Sequence, residues 1–66
     1  MLVTINGEDI NFNKSITIEN FLKEKDIDTD AVVVELNKQI IPSEDYKTTY
    51  LSNKDILEIL RFVGGG

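Results

Sequence analysis

The sequence predicts a single small α+β domain in which a mixed sheet, with elements in the order ββαββ, packs one helix across one face. Segments with a two-residue repeat lie on both sides of a segment whose apolar residues recur every three or four positions. The chain has 66 residues, 41% of them hydrophobic, which leaves room for only one core. The helix must lie on one face of the sheet, because only that arrangement buries both apolar surfaces together.

The first twelve residues predict a β-hairpin. Leu2 to Ile5 is a β-prone run whose alternate side chains face opposite sides of a sheet. Asn6-Gly7 follows at once, and this pair tolerates the positive φ angles of a type I′ turn. We therefore expect a second strand to return through Ile10 and Phe12, which stand two positions apart among polar residues.

A longer repeat then predicts a helix. Ile18, Phe21 and Leu22 form one apolar stripe that Lys25 extends. Thr17 precedes the stripe, and its hydroxyl can accept a hydrogen bond from the first turn of the helix.

The acidic segment Asp26–Asp30 predicts a loop that leaves the helix. It carries three aspartates and no regular apolar pattern. A calcium-binding loop is the alternative interpretation, but the segment lacks the glycine and the closing glutamate of an EF-hand. A solvated turn is therefore favoured.

The third and fourth strands follow the loop. Ala31 to Leu36 is rich in β-branched residues and alternates as a strand with one buried face does. Asn37-Lys38 can turn the chain into a very short strand, Ile40-Ile41, which ends at Pro42 because proline supplies no ladder donor. Ser43–Tyr46 resembles one capped helical turn whose tyrosine would cover an end of the core.

The last strand is predicted at Ile56 to Phe62, after a polar turn at Ser52–Asp55. The apolar spacing would also suit a helix face, but the run is short and follows a turn, so a strand is favoured. The residues expected to face the helix are Leu57, Ile59 and Arg61.

The other face of this strand predicts an interface. Leu60 and Phe62 would lie beside Val33 on the open face of the sheet, which is the face without the helix. An apolar patch on an otherwise acidic surface usually marks a contact with a partner. The alternative is that Phe62 folds back onto the edge of its own domain.

This element order, with the first and last strands central and parallel, is that of a β-grasp fold, the fold of ubiquitin-like proteins. We expect residues 1–63 to form the β-grasp domain and residues 64–66 to form a flexible C-terminal glycine tail. The tail has no side chain to pack and would reach roughly 10 Å beyond the sheet.

Composition restricts the function. A net charge of −5 would repel nucleic acid and anionic membrane surfaces. The chain has no histidine and no cysteine, so it lacks the commonest general base, the thiol nucleophile and the usual soft metal ligands. We expect no enzymatic activity of its own, no metal site and, because no membrane span or secretion signal is present in the sequence, a cytoplasmic location.

The sequence Gly64-Gly65-Gly66 is the most informative feature. A frayed end is the general alternative for such a tail. Without Cβ atoms, however, it can enter a narrow active site. Its terminal carboxylate would be the only distinctive reactive group in the chain.

Motifs along the whole chain match one known pattern. They are Val3–Glu8, Thr17-Ile18 with Phe21-Leu22, Val34–Asn37, Ile41-Pro42 with Glu44–Tyr46, and Glu58–Gly66. On these motifs together the chain resembles the ThiS family, the small ubiquitin-like sulfur carriers of thiamine biosynthesis. Members often have glycine where this chain has Lys38 and Lys54, a difference that concerns turn geometry.

The resemblance implies a sulfur-transfer cycle. A ThiF-like adenylating enzyme would bind the open face, thread Gly64 and Gly65 into its site, and use ATP and magnesium to convert the Gly66 carboxylate into an acyl adenylate. A persulfide, supplied by a sulfur donor such as a cysteine desulfurase, would then leave a thiocarboxylate at Gly66. Thiazole synthase, a ThiG-like enzyme, would take that sulfur into the thiazole ring. The chain would bind no cofactor itself.

Three alternatives remain open at this point. The small subunit of molybdopterin synthase is a similar sulfur carrier, but it often has prolines before its glycines, unlike Phe62-Val63-Gly64. A ubiquitin-like modifier would be joined through Gly66 to lysines of other proteins. A purely structural adaptor would have an inert tail.

Overall fold

The computed structural model describes residues 1–62, which form a five-stranded sheet, one α-helix and two 3₁₀ helices. The strands are β1 (Leu2–Ile5), β2 (Glu8–Asn11), β3 (Val32–Leu36), β4 (Gln39–Ile41) and β5 (Ile56–Arg61). The helix α1 is Ile18–Glu24, and the 3₁₀ helices are Thr29–Ala31 and Ser43–Asp45. Val63 and the three glycines lie outside the described residues, as does the predicted boundary of the tail.

The strand order β2-β1-β5-β3-β4 confirms the predicted β-grasp fold. β1 runs parallel to β5, and the β1–β2, β3–β4 and β3–β5 pairs are antiparallel. The first and last strands are therefore adjacent within the sheet, as predicted. The connection from β2 to β3 passes from one side of this central pair to the other and carries α1 over one face.

The core lies between α1 and that face of the sheet. Ile18, Phe21 and Leu22 are buried on the helix, and the hydroxyl of Thr17 accepts a hydrogen bond from the backbone N–H of Asn20 at 3.1 Å, as predicted. The sheet contributes alternate residues of β1, β3 and β5, which are Val3, Ile5, Val32, Val34, Leu57 and Ile59. Tyr46 is also buried, and it completes the core as the sequence indicated.

Two core residues were missed by sequence reasoning. Ile16 and Leu51 are buried although neither belongs to a regular element. The backbone N–H of Leu51 donates to the carbonyl oxygen of Ile16 at 2.9 Å, beside an isolated bridge between Thr17 and Tyr50. A single bridge between distant segments leaves no periodic pattern, so the sequence gives no signal for it.

Several predicted boundaries were wrong by one residue. β2 ends at Asn11, so Phe12 lies just outside it, although its N–H still donates to the carbonyl of Met1 at 2.9 Å. β3 begins at Val32 and not at Ala31, because Ala31 ends a 3₁₀ helix. β5 ends at Arg61, and the N–H of Phe62 adds one further hydrogen bond to Ala31 at 3.0 Å.

The acidic loop and the end of the helix also differ from expectation. Part of Asp26–Asp30 enters the first 3₁₀ helix, because the side chain of Asp28 accepts from the N–H of Asp30 at 2.9 Å and caps it. Lys25 does not extend the apolar stripe: it is the exposed C-cap of α1, with its Nζ 6.0 Å from the centroid of the Phe21 ring.

Both predicted hairpin turns have a left-handed backbone. Asn6 and Gly7 have φ of 49° and 83°, and Asn37 and Lys38 have φ of 52° and 71°, as a type I′ turn requires. Lys54 also has a positive φ, 72°. The two lysines that stand where the ThiS pattern often has glycine therefore keep the backbone conformation that glycine adopts easily.

We expect replacement of Lys38 by glycine to stabilise the domain. Relief of the left-handed conformation gains about 1–2 kcal/mol, and the greater backbone entropy of glycine offsets part of it, so the free energy of unfolding should rise by about 1 kcal/mol. Chemical denaturation measures the change. Lys47→Gly is the control, because Lys47 is exposed and lacks a positive φ, and it should not stabilise the domain. A Lys38→Gly variant no more stable than this control would contradict the prediction.

Candidate partner-binding face

The open face of the sheet is defined by strand register. Thr4 lies beside Ile56, and Val33 lies opposite Leu60, so these residues share the side that α1 does not cover. The strand residues of this face are Leu2, Thr4, Asp9, Asn11, Val33, Glu35, Ile40, Ile56, Glu58 and Leu60.

The predicted apolar patch lies on this face. Leu60 is 55% exposed and Phe62 is 63% exposed, while Val33 is half-buried beside them. Phe62 follows Leu60 by two positions and extends the ladder to Ala31, which places it on the same side of the sheet. Its exposure contradicts the alternative in which it folds back onto the domain. The role of the three residues in binding stays a prediction.

The patch is wider than the sequence analysis indicated. Ile40 is 67% exposed and Ile56 is 50% exposed, and both share the open face. The alternation of β5 already placed Ile56 in the same set as Leu60, so this signal was available. Ile40 could not be assigned a face from sequence, because its position depends on its pairing with Glu35.

Acidic residues accompany the apolar ones. Glu58 on β5 lies directly opposite Glu35 on β3, and Asp9 accepts a hydrogen bond from the hydroxyl of Thr4 at 2.7 Å. None of the strand residues that make up the described open face is basic. This face therefore combines exposed aliphatic side chains with negative charge.

Asn6 fixes the backbone of β5 near its C-terminal end. Its Oδ1 accepts from the N–H of Ile59 at 2.8 Å, and its Nδ2 donates to the carbonyl of Ile59 at 3.3 Å. These bonds continue the pairing of β5 beyond the last residue of β1, while Phe62 bonds to Ala31 on the other side. The strand that leads to Gly64, Gly65 and Gly66 is thus held on both sides.

On the helical side, the described residues form a shallow groove. It has a volume of about 210 Å³, which is smaller than the roughly 300–1,000 Å³ of typical ligand pockets. Burial raises the pKa of the Tyr46 hydroxyl in its lining, so this group stays neutral. Within residues 1–62, no group of three or more acidic side chains stands close enough to hold a metal ion, and no helix is long and apolar enough to cross a membrane.

Comparison with known proteins gives a consistent result. The sequence model of the ThiS family matches residues 2–66. The sulfur carrier protein ThiS of Bacillus subtilis (strain 168) is 38% identical, over 98% of this chain and 100% of its own length. The crystal structure of the thiamine biosynthesis protein ThiS from Geobacter metallireducens matches with a TM-score of 0.85 and 29% identity, covering both chains completely.

A larger protein also contains a similar segment. A thiazole synthase of Paramagnetospirillum magneticum is 42% identical to this chain over 66 residues, which is all of the chain but only 20% of that protein. The chain therefore spans about a fifth of the length of that relative.

Proposed function

This chain belongs to the ThiS family, and from that membership we propose that it carries sulfur for thiamine biosynthesis on the C-terminal carboxylate of Gly66. The observation that carries the proposal is the family match, which runs from residue 2 to residue 66 and so includes the three glycines of the C-terminal tail. The full-length similarity to a protein named sulfur carrier ThiS supports it. The chain itself acts as a carrier and not as an enzyme.

Adenylation is the first chemical step. A carboxylate is a poor acyl donor, because it would have to expel an oxide, whereas AMP is a good leaving group. A ThiF-like enzyme with ATP and magnesium therefore joins the Gly66 carboxylate to AMP and releases pyrophosphate. A persulfide sulfur, from a donor such as a cysteine desulfurase, then attacks the carbonyl carbon and displaces AMP. Cleavage of the remaining sulfur–sulfur bond by a thiol leaves the thiocarboxylate.

The open face is the docking surface for the adenylating enzyme. Its exposed side chains Leu60 and Phe62 lie next to the point where the chain continues into the tail. Covalent geometry limits the three glycines to roughly 10 Å of reach. The enzyme must therefore bind close to the end of β5, with its adenylation site within that distance.

Thiazole synthase is the proposed acceptor of the sulfur. A protein of that name contains a segment similar to this chain within a single polypeptide. Two modules that act on each other gain from covalent linkage, because the link raises their effective concentration. This arrangement supports a functional pairing between the carrier and a ThiG-like thiazole synthase.

Removal of Gly66, or conversion of its carboxylate to an amide, should abolish adenylation. The reacting group is then missing, whereas the buried core residues within residues 1–62 all precede residue 60, so the melting temperature should stay that of the wild type. Intact-mass measurement after incubation with the adenylating enzyme, ATP, magnesium and a persulfide donor checks this. Exchange of one oxygen for sulfur is expected in the wild type alone. ATP-dependent thiocarboxylate formation in the truncated chain would rule out the mechanism.

Leu60→Asp should weaken binding to the adenylating enzyme far more than it lowers stability. An aspartate buried in an apolar interface costs several kcal/mol, whereas a change on an exposed surface costs about 0.5 kcal/mol or less. Tyr50→Asp is the control, since Tyr50 is 59% exposed and is not a strand residue of the open face. Calorimetric titration measures both affinities. Equal binding by Leu60→Asp and the control would remove the open face from the interface.

Gly65→Val tests why the tail contains glycine. A branched side chain would collide with the walls of a narrow adenylation site and would disfavour a positive φ. The variant should melt like the wild type and bind with nearly normal affinity, yet fail to form the acyl adenylate. Pyrophosphate release gives the rate of that step. A normal rate would show that the glycines do not serve passage into the site.

A further inference from the structure

We propose that Glu35 and Glu58 form an acidic recognition site at the centre of the open face, and that the docking partner places an arginine guanidinium against both carboxylates. The inference rests on the proposed function, because the occupant is taken to be the adenylating enzyme. The surface of this partner must then present a guanidinium group to the two carboxylates.

Strand register brings the two glutamates together. They face each other across the antiparallel β3–β5 pair, where opposite Cβ atoms lie about 4.5–5.5 Å apart. In the part of the chain that the structure describes, the only ion pair joins Lys23 to Glu19 on α1. Neither Glu35 nor Glu58 therefore has a cationic partner among these residues. Like charges placed directly opposite each other are unfavourable in a sheet.

Exposed or half-buried aliphatic residues surround the pair. Ile56 and Leu60 flank Glu58 along β5. On the other side, Ile40 of β4 lies opposite Glu35, and Val33 lies two positions before Glu35 along β3. A protein that covers these aliphatic side chains must also cover the carboxylates between them. Two buried, unpaired carboxylates would be strongly unfavourable, so a partner that binds here must supply positive charge.

Arginine fits the site better than lysine does. The guanidinium is planar and carries five N–H donors, so it can donate to two neighbouring carboxylates at once. Its flat faces and weak hydration also suit an apolar surrounding. The site thus favours an apolar partner surface with a guanidinium at its centre.

A second copy of this chain does not meet the requirement. Two copies joined through their open faces would bring Asp9, Glu35 and Glu58 of one against the same three acids of the other. The net charge of −5 on each copy would add to the repulsion. The proposed occupant is therefore a basic partner, and the chain alone should sediment as a monomer.

The test uses the isosteric variants Glu35→Gln and Glu58→Gln with the adenylating enzyme. Each variant removes one negative charge from the contact between the glutamates and the partner's arginine. This loss should weaken binding roughly 10-fold or more and should reduce the dependence of affinity on salt. Because the repulsion within the sheet is relieved, each variant should also melt at a higher temperature than the wild type. Glu44→Gln is the control, since it removes the same charge from an exposed 3₁₀ helix away from the open face.

The outcomes separate this inference from the proposed function. Unchanged or tighter binding by both glutamine variants, or an open-face dimer in sedimentation, would overturn the recognition site. A second outcome is that the glutamine variants lose binding while the wild type binds the enzyme but forms no thiocarboxylate at Gly66. This result would support the recognition site and rule out the sulfur-carrier chemistry. A wild-type chain that does not bind the enzyme at all would overturn the proposed occupant, and the inference with it.

Discussion

The parallel pairing of β1 with β5 is the constraint on which the rest of the structure depends. It places the last strand in the interior of the sheet, where β1 and β3 hold it on both sides. Because β2 and β3 flank this central pair, the connection between them must cross it. That connection contains α1, whose apolar stripe covers Val3, Val34 and Leu57 on one face. No helix or strand among the described residues covers the opposite face, which is the open face.

The same pairing links the stability of the domain to its proposed chemistry. Leu57 and Ile59 are core residues, while Glu58 and Leu60 on the same strand face outward. A strand that alternates between the core and a binding face gives the exposed residues fixed positions. The side-chain bonds of Asn6 to Ile59 extend this order toward the C-terminus. In the proposed cycle, the partner must locate the tail from the sheet, so a reactive group at Gly66 needs such an anchored starting point.

The composition of the chain and the residues of its open face both favour a role in partner recognition. In the proposed function, an enzyme activates the carboxylate of this chain, which has no histidine and no cysteine, and the chain contributes recognition. We propose that the open face supplies this recognition, because its exposed aliphatic residues gain from burial and its acidic residues gain from a cationic partner. In this proposal, Glu35 and Glu58 disfavour the isolated domain and favour the complex.

The sequence alone determined the order of elements, both hairpin turns, the helix cap and the sulfur-carrier resemblance. These features depend on residues that are neighbours in the chain: the alternation around Val34, the positive φ that Asn6-Gly7 tolerates, and the hydroxyl of Thr17 at the start of α1. Only the tertiary structure decided which strands are adjacent, and hence that Glu35 lies opposite Glu58 and that Ile40 joins the open face. It also decided the burial of Ile16 and Leu51. Contacts between residues far apart in the chain have no local pattern, because chain folding and not sequence spacing brings them together.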